Sequence, residues 1–452
     1  MSRADPRSPR GLGIWPADRT SRALLTAVSA GAAATAWLWA HDLSAPHSLA
    51  DWVTDAGRLT GLLGGYGLGV LIFLMSRIPW FERRIGAGEL AGWHALGGRY
   101  VLSLLVAHTL LIIWGYAAST RTPLTTETTD LLAHYANVLA ATVGLGLLVI
   151  VWIVSMRAIR RRVSYETWFY LHLYTYLGTA LAFAHDLSVG ADFTTHPLAR
   201  LIWSVFYGLV GIALLWYRFA APARSAFRHR LRVTRVQRET PVVTSLYIGG
   251  QHIDELRAEP GQFFRWRFLT RDGWWQSHPF SLSAQPGRAH IRLTVKASGD
   301  YTRTVPHIRP GVRVIAEGPY GALTPSVRTR QDVLLLAGGI GITPLRALLD
   351  VFAREEGDVI LLYRANTKDE LVFKPELEHI RDRYGTDIRY LVGPPGSDSD
   401  VLLDDRLIRD VPDIKDRDVF ATGPPGFTEA VVAALNGIGV PRRQIHVERF
   451  AL

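Results

Sequence analysis

Four histidines fall inside stretches that otherwise suit hydrocarbon: His94 and His108 in "GWHALGGRYVLSLLVAHTLLIIWGY" (92–116), and His172 and His185 in "YETWFYLHLYTYLGTALAFAHDL" (165–187). Ionisable groups within a bilayer are costly and usually functional. The first two lie fourteen positions apart, about 21 Å along a helix and roughly 40° short of a common face. The other two lie thirteen apart, roughly 140° out of phase on a regular helix. A bend or π-bulge near Gly178 is therefore expected in the second stretch. A lone intramembrane histidine is well explained as an interhelical hydrogen-bonder. Two matched pairs instead suit iron, because bis-imidazole ligation takes one neutral nitrogen from each of two facing helices at equal depth. The chemistry implied is one-electron transfer through two b-type haems stacked across a membrane. The inner is held by His94 and His172, the outer by His108 and His185. His134, His196, His41 and His47 read as wet interfacial residues.

The elements that must position these rings follow from the hydropathy pattern. Six runs long enough to cross a bilayer lie near 22–41, 58–78, 93–118, 131–156, 166–186 and 199–219. Arginines crowd the leader, the second and fourth loops and the exit (Arg77, Arg83, Arg84, Arg157, Arg160, Arg161, Arg162, Arg218), while the other loops are acidic. By the positive-inside rule both termini are cytoplasmic, in a multi-pass protein of a bacterial-type cell membrane. Arg58 opens the second run on the outer side, level with the outer histidines. There it is either a snorkelling interfacial arginine or a cation beside the outer haem that pairs a propionate or attracts an anionic acceptor or product.

The remaining composition narrows the classes. The 452 residues exceed one ordinary core, and 48% are hydrophobic, concentrated in the first half. With no cysteine, disulfides, thiolate metal sites and iron-sulfur clusters are excluded. The formal charge of +10 sits in loops beside apolar runs, which suits a membrane surface and not nucleic acid. Residues 1–20 lack the apolar core of a secretory signal and read as a disordered cytosolic leader.

Past a linker at 220–229 the hydrophobic period drops to two. "LRVTRVQRE", "PVVTSLYIG", "GQFFRWRFL", "FSLSA", "IRLTVKA" and "VRVIAEGP" predict an antiparallel barrel over 230–326. From 327 to 452 strands alternate with helices, a parallel α/β sheet. There "GGIGITP" (338–344) follows a strand and opens a helix, a context in which Gly338, Gly339 and Gly341 let backbone N–H groups meet a pyrophosphate.

These features together resemble the ferric reductase and NADPH oxidase superfamily, and compact bacterial NADPH oxidases most: a six-helix bis-haem domain (21–219) fused to a ferredoxin-NADP reductase-like dehydrogenase. The resemblance rests on both histidine pairs and on "HPFSLSA" (278–284), similar to the family's flavin motif. It implies FAD, with His278 and Pro279 near the flavin phosphate or haem edge, Phe280 against the isoalloxazine and Ser281 bonded to the reactive flavin nitrogen. "KASGDYT" (296–302) is similar to the flavin diphosphate loop, with Lys296, Gly299 and Thr302 as phosphate partners. "GGIGITP", including Thr343 and Pro344, resembles the nicotinamide-nucleotide loop, and "ATGPPGF" (421–427) its partner across the cleft. In the latter Thr422 replaces the family's cysteine before Gly423 and Pro424, so positioning falls to a hydroxyl. Phe450 resembles the terminal aromatic that shields the flavin. Arg364, Thr367 and Lys368 end the second strand of the nucleotide fold, where basic groups favour the 2′-phosphate of NADPH over NADH.

The expected function is transmembrane NADPH oxidation: a hydride to FAD, then single electrons through the inner and outer haems to dioxygen outside, giving superoxide or peroxide. A ferric-chelate reductase, or a flavocytochrome feeding quinone or a protein partner, is the alternative. No obligatory protein partner is evident. Pyridine haemochrome analysis of purified protein is expected to give two haems b per chain, and one or none would overturn the four-ligand assignment.

Overall fold

The computed structural model describes residues 19–41, 43, 48–160, 162–163, 165–287, 289–394 and 404–449. Nearly all of the expected leader 1–20, and Phe450, lie outside them. The chain divides into two units, Met1–Ser76 with Glu89–Leu215, and Arg77–Gly88 with Trp216–Leu452.

In chain order the helices of the first half are α1 (Arg19–His41), α2 (Leu49–Leu74), α3 (Pro79–Arg84), α4 (Ala87–Thr120), α5 (Leu124–His134), α6 (Val138–Ser155), α7 (Arg157–Arg160), α8 (Tyr165–Val189), α9 (Ala191–Thr195), α10 (Pro197–Leu215) and α11 (Ala221–His229). Five segments are long and apolar enough to cross a membrane: α1, α2, α4, α6, and the stretch from Pro197 to His229. α8, at the fifth expected span, has 25 residues, about 37 Å at the helical rise. Its tyrosines and two histidines make it more polar than those five.

Several expected boundaries move. α2 begins at Leu49 because Ser48 and Asp51 form a reciprocal capping box, Asp51 N–H to Ser48 Oγ at 3.2 Å and Ser48 N–H to Asp51 Oδ2 at 2.9 Å. Arg58 therefore sits well inside a helix and does not open one. The run 131–156 is broken: α5 ends at His134, Asn137 takes a left-handed φ of 62°, and α6 starts at Val138.

No π-bulge forms in the fifth span. α8 is α-helical from Tyr165 to Val189. Gly178 serves packing instead: a Cβ there would stand 2.9 Å from the Gly144 carbonyl oxygen, and one at Gly144 would stand 2.8 Å from that of Gly178. Two glycines facing each other let the α6 and α8 backbones touch, as small residues do between membrane helices. A π turn forms at Trp216–Ala220, after α10, and the expected linker 220–229 is mostly helix α11.

In the second unit, β1 (Arg232–Thr240), β2 (Val243–Gly249) and β5 (His290–Lys296) form one antiparallel sheet, with β2 central. β3 (Phe263–Phe268), β4 (His278–Ser281) and β6 (Val314–Tyr320) form another, with β3 central. Single bridges, Arg232 to Arg313 and Leu282 to Leu293, connect the two. Alternation along β3 explains the core between them: Phe264, Trp266 and Phe268 are wholly buried while Arg265 and Arg267 face outward.

After the short helix α12 (Asp300–Thr304) and β6, the chain runs β7 (Val333–Gly338), α13 (Ile342–Phe352), β8 (Val359–Ala365), α14 (Lys374–Tyr384), β9 (Asp387–Val392), α15 (Asp404–Asp410), β10 (Asp418–Gly423), α16 (Pro425–Ile438) and β11 (Ile445–Arg449). These strands form a parallel sheet in the order β11-β10-β7-β8-β9. β7 is central and buried on both faces, hence its unbroken apolar run. The order reverses between β7 and β10, so their carboxyl ends frame the crevice where such sheets hold ligands.

The second loop, expected within the membrane domain, clusters with this unit. Arg77 donates to the Glu317 carboxylate on β6, and Arg267 reaches the same carboxylate at 3.5 Å. Glu82 on α3 is buried beside Arg77, Arg265 and Arg218; desolvation outweighs them and pushes its carboxyl up to about 7.

Gly178→Leu is expected to drive α6 and α8 apart and lower the melting temperature of the detergent-solubilised protein by several degrees. Gly146→Leu, where a Cβ meets nothing within 4 Å, is expected to leave it unchanged.

Candidate functional site

α4 and α8 bring the four membrane histidines together as two pairs. The ring centroids of His94 and His172 are 5.9 Å apart, and those of His108 and His185 are 6.4 Å apart. A metal–imidazole bond of about 2.0 Å on each side plus ~1.1 Å from each nitrogen to its ring centre gives roughly 6.2 Å between centroids. Both pairs thus fit a shared iron. The pairs form without the π-bulge that the sequence phase suggested.

Second partners fix the rings of α4. The Nδ1 of His108 lies 2.8 Å from the Gly57 carbonyl oxygen, and that of His94 lies 3.1 Å from the Leu71 oxygen. Donation from Nδ1 would leave Nε2 as the ligating nitrogen. α2 supplies both carbonyls because glycines let it approach α4; a Cβ at Gly61 would stand 2.5 Å from His108 Nδ1. On α8, Trp168 packs against His172 with centroids 5.0 Å apart, and its indole N–H donates to Ser155 Oγ at 3.0 Å. The Nδ1 of His185 is shut from solvent and has no hydrogen-bond partner among the described residues.

Arg58 follows the glycine that holds His108, which places it at the level of the outer pair. Its guanidinium meets Asp192 at 2.9 Å and Asp55 at 3.4 Å. Its charge is already matched by two carboxylates, so an anion would have to compete for it.

In the second unit the expected flavin residues lie on β4 and the segments beside it. His278 stacks on Tyr301, centroids 3.7 Å apart, and lies 6.3 Å from Phe280. Pro279 is exposed and Phe280 half-buried, with the Phe280 carbonyl accepting from Trp266 Nε1 at 3.0 Å. Ser281 is buried, and its hydroxyl has no partner among the described residues; the same holds for Ser277 Oγ and Tyr301 Oη. Buried hydroxyls are normally satisfied. Three orphans on and around one strand fit a polar ligand such as a flavin. Burial pushes the Tyr301 phenol up to about 12, so that it stays a donor.

The expected diphosphate partners are engaged elsewhere. Lys296 pairs with Glu370 at 3.1 Å, and Thr302 Oγ1 accepts from the N–H groups of Ser298 and Gly299 at 2.9 and 2.8 Å, capping α12. A phosphate at Lys296 would share the ammonium with Glu370 or displace it.

The nucleotide loops meet at the β7/β10 crevice. Gly339 has a positive φ of 55°, and Gly338 and Gly423 both abut the Phe427 ring. Thr343 is buried, its hydroxyl donating to the Ile340 carbonyl at 3.1 Å, and Pro344 is buried in the first turn of α13. Pro424 caps α16. The expected free hydroxyl at Thr422 is not available: it is buried and donates to the Gly341 carbonyl, tying the two loops together. Arg364, next to last in β8, is in register with Gly338, and Lys368 is exposed just beyond the strand.

One residue escaped sequence reasoning. Glu448 on edge strand β11 lies in register with Thr422, and its Oε1 is 3.1 Å from where a Cβ on Gly321 would stand. Its Oε2 is shut off and unpartnered among the described residues, and desolvation pushes the carboxyl up to about 8. At neutral pH it is a protonated acid beside the crevice. The only signal in the sequence was an acid inside the apolar tail "IHVERFAL".

Three family models match. Residues 60–183 match the ferric reductase like transmembrane component, 243–324 an FAD-binding domain and 335–433 an oxidoreductase NAD-binding domain. This order is the architecture of the ferric reductase and NADPH oxidase-like superfamily, and the chain is a membrane flavin-dependent oxidoreductase. A flavohemoprotein of Pseudomonas putida is 27% identical over 61% of this chain and 74% of its own length. An NADPH oxidoreductase of Mycobacterium tuberculosis is 29% identical over 52% of this chain and 64% of its own length. Among solved structures, a flavohemoglobin from Malassezia yamatoensis is 16% identical, covers 89% of this chain and 99% of its own, and has a TM-score of 0.46.

Because the folded protein keeps the Glu448 proton to higher pH than the unfolded chain does, the stability linked to that proton is complete below the unfolded value, near 4.5, and drains as pH rises through about 8. Glu448→Gln is expected to match the wild-type melting temperature near pH 5 and to exceed it increasingly toward pH 8.

Proposed function

We propose that this chain is a six-span membrane oxidase that takes electrons from cytosolic NADPH and delivers them, through FAD and two b-type haems, to dioxygen on the outer face, with superoxide or peroxide as product. The carrying observation is the coexistence of two imidazole pairs, at 5.9 and 6.4 Å, with FAD- and NAD-binding domains in one chain. FAD supplies the conversion of a hydride to single electrons, and haem supplies one-electron transfer.

The residues then have distinct tasks. His94 with His172, and His108 with His185, hold the two irons, with Gly57 and Leu71 orienting the α4 rings. Were each pair to hold a haem iron through both rings, the iron would have no free position, and an acceptor would have to take its electron at the haem edge. α8 serves as the fifth of the six spans, and the arginine distribution keeps both termini cytoplasmic. Ser281 offers its buried hydroxyl to the flavin ring, with Phe280 and His278 beside it. Lys296, Gly299 and Thr302 would meet the diphosphate once Lys296 exchanges Glu370 for phosphate. Gly338, Gly339, Gly341, Thr343 and Pro344 shape the loop that receives the nicotinamide nucleotide, closed by Thr422, Gly423 and Pro424. Arg364 and Lys368 face the 2′-phosphate of NADPH, a donor consistent with the relative named an NADPH oxidoreductase. Glu448 keeps a proton at the crevice, and the role of flavin-shielding aromatic expected for Phe450 lies outside the described residues. Arg58 holds the outer face of the bundle through Asp192 and Asp55. The domain limits proposed are 21–219, less the loop Arg77–Gly88 that clusters with the second unit, 230–326 and 327–452.

One hydride carries two electrons, so each NADPH should yield two superoxide ions. Purified full-length protein with NADPH and FAD alone is expected to form superoxide at that ratio, and to stop when FAD is removed. A strong preference for ferric chelates in air would overturn the acceptor assignment. Ser281→Ala, losing one hydrogen bond to the flavin, is expected to slow NADPH-dependent flavin bleaching about tenfold while leaving the haem spectrum intact.

A further inference from the structure

We propose that α11 and the turn at His252 form a headgroup site for an anionic phospholipid of the leaflet at which α10 ends. The inference rests on α10 crossing the membrane and is independent of which acceptor takes the electrons.

The surface changes character in order along the chain. Leu209, Ile212 and Leu215 of α10 are exposed apolar side chains. Trp216 and Phe219 follow, both exposed, in the π turn. Arg224 and Arg228 come next, one turn apart on α11, with Phe227 between them. An apolar span, an aromatic collar and then cations is the sequence of environments that a chain meets on leaving a bilayer. Arg224 is nine residues past the end of α10, within about 14 Å at the helical rise.

Phe227 is 80% exposed, more than any other large apolar side chain among the described residues. A ring so exposed between two guanidiniums is unfavourable in water. It suits an interfacial helix, whose aromatic enters the acyl boundary while its cations meet phosphates.

The site is also built. Arg224, Phe227, Arg228 and His252 line a groove of about 310 Å³. His229 is buried and anchors the end of α11 to the facing turn: its Nδ1 lies 3.0 Å from the His252 carbonyl oxygen, and its own carbonyl accepts from Gln251 N–H at 2.7 Å. Glu255 holds Arg228 at 2.5 Å and lies 3.5 Å from His252 Nδ1. Arg224 has no acceptor among the described residues and is the cation that a headgroup would take. Arg230 and Arg257 are exposed close by in sequence, as is Asp254, so with Arg224 and Arg228 the cations of these two segments outnumber the acids Asp254 and Glu255.

The test uses full-length protein in detergent, titrated with phosphatidylglycerol and with phosphatidylcholine of the same acyl chains, bound lipid being counted by native mass spectrometry. Phosphatidylglycerol is expected to fill one more site than phosphatidylcholine. Arg224→Gln is expected to weaken that site about fivefold, from roughly 1 kcal/mol per cation near an anionic surface. Arg224→Gln with Arg228→Gln is expected to weaken it about twentyfold, a little short of two full increments because Glu255 already offsets part of Arg228. Phe227→Ser is expected to weaken both lipids. All three positions are exposed, so melting temperatures should hold, which separates loss of binding from loss of fold.

Equal retention of the two lipids, or wild-type retention by the double variant, would overturn the proposal. Displacement of the lipid by millimolar inorganic phosphate would assign the groove to a free anion instead. A dimer that dissociates on Phe227→Ser with lipid counts unchanged would assign it to a second copy of the chain.

Discussion

An imidazole inside an apolar helix bundle is costly unless its ring nitrogens are engaged, and for the two rings of α4 that requirement organises the first unit. α4 carries one ring of each pair, and α2 lies against it closely enough for backbone carbonyls to reach Nδ1 of both. Such closeness is possible only where α2 has no side chain, as at Gly61. α8 brings the opposing rings, and its own position is set by the glycine crossing with α6. The glycines of α2, α6 and α8 are thus consequences of where four rings must stand.

The second unit is organised by contrast. Most of its buried polar groups are satisfied: Thr422 by Gly341, Asp418 by the N–H groups of Thr329 and Arg330, Arg292 by Glu376 at 2.7 Å and by the Ser283 carbonyl at 2.6 Å. Against that background the orphans are informative. The hydroxyls of Ser281 and Tyr301 and one oxygen of Glu448 go without partners where β4 and the carboxyl end of β11 lie. Tyr390 Oη and Gln444 Oε1 are unpartnered as well among the described residues, so what sets the first three apart is their place, on and beside β4 and on β11 next to Thr422.

Much of this was legible in the sequence because it depended on period. Alternation along "GQFFRWRFL" marks β3, and the glycine turn after "DVLLLA" marks the β7/β10 crevice. The histidine pairs were legible because charge in an apolar run needs a reason. What the sequence hid depended on contacts between distant segments. The start of α2 lay among Asp51, Asp55 and Arg58, which read as a loop until Asp192 is seen to pair with Arg58, 134 positions away. Gly178 read as a flexible point because its partner Gly144 lies in another span. The second loop read as a cytoplasmic connection because nothing in its own composition reveals Glu317. Glu448 is one acid in a short tail until a neighbouring strand and Gly321 enclose it.

The ion pair between Lys296 and Glu370 joins a loop of the flavin half to a loop of the nucleotide half. Lys296 turning toward a flavin phosphate would loosen its hold on one Glu370 oxygen, while the other keeps the Asn366 N–H at 3.0 Å. Thermodynamic reciprocity then requires the converse: whatever the nucleotide does to Glu370 is felt as a changed affinity for flavin. An exchangeable bridge of this kind would let either ligand act on the affinity for the other.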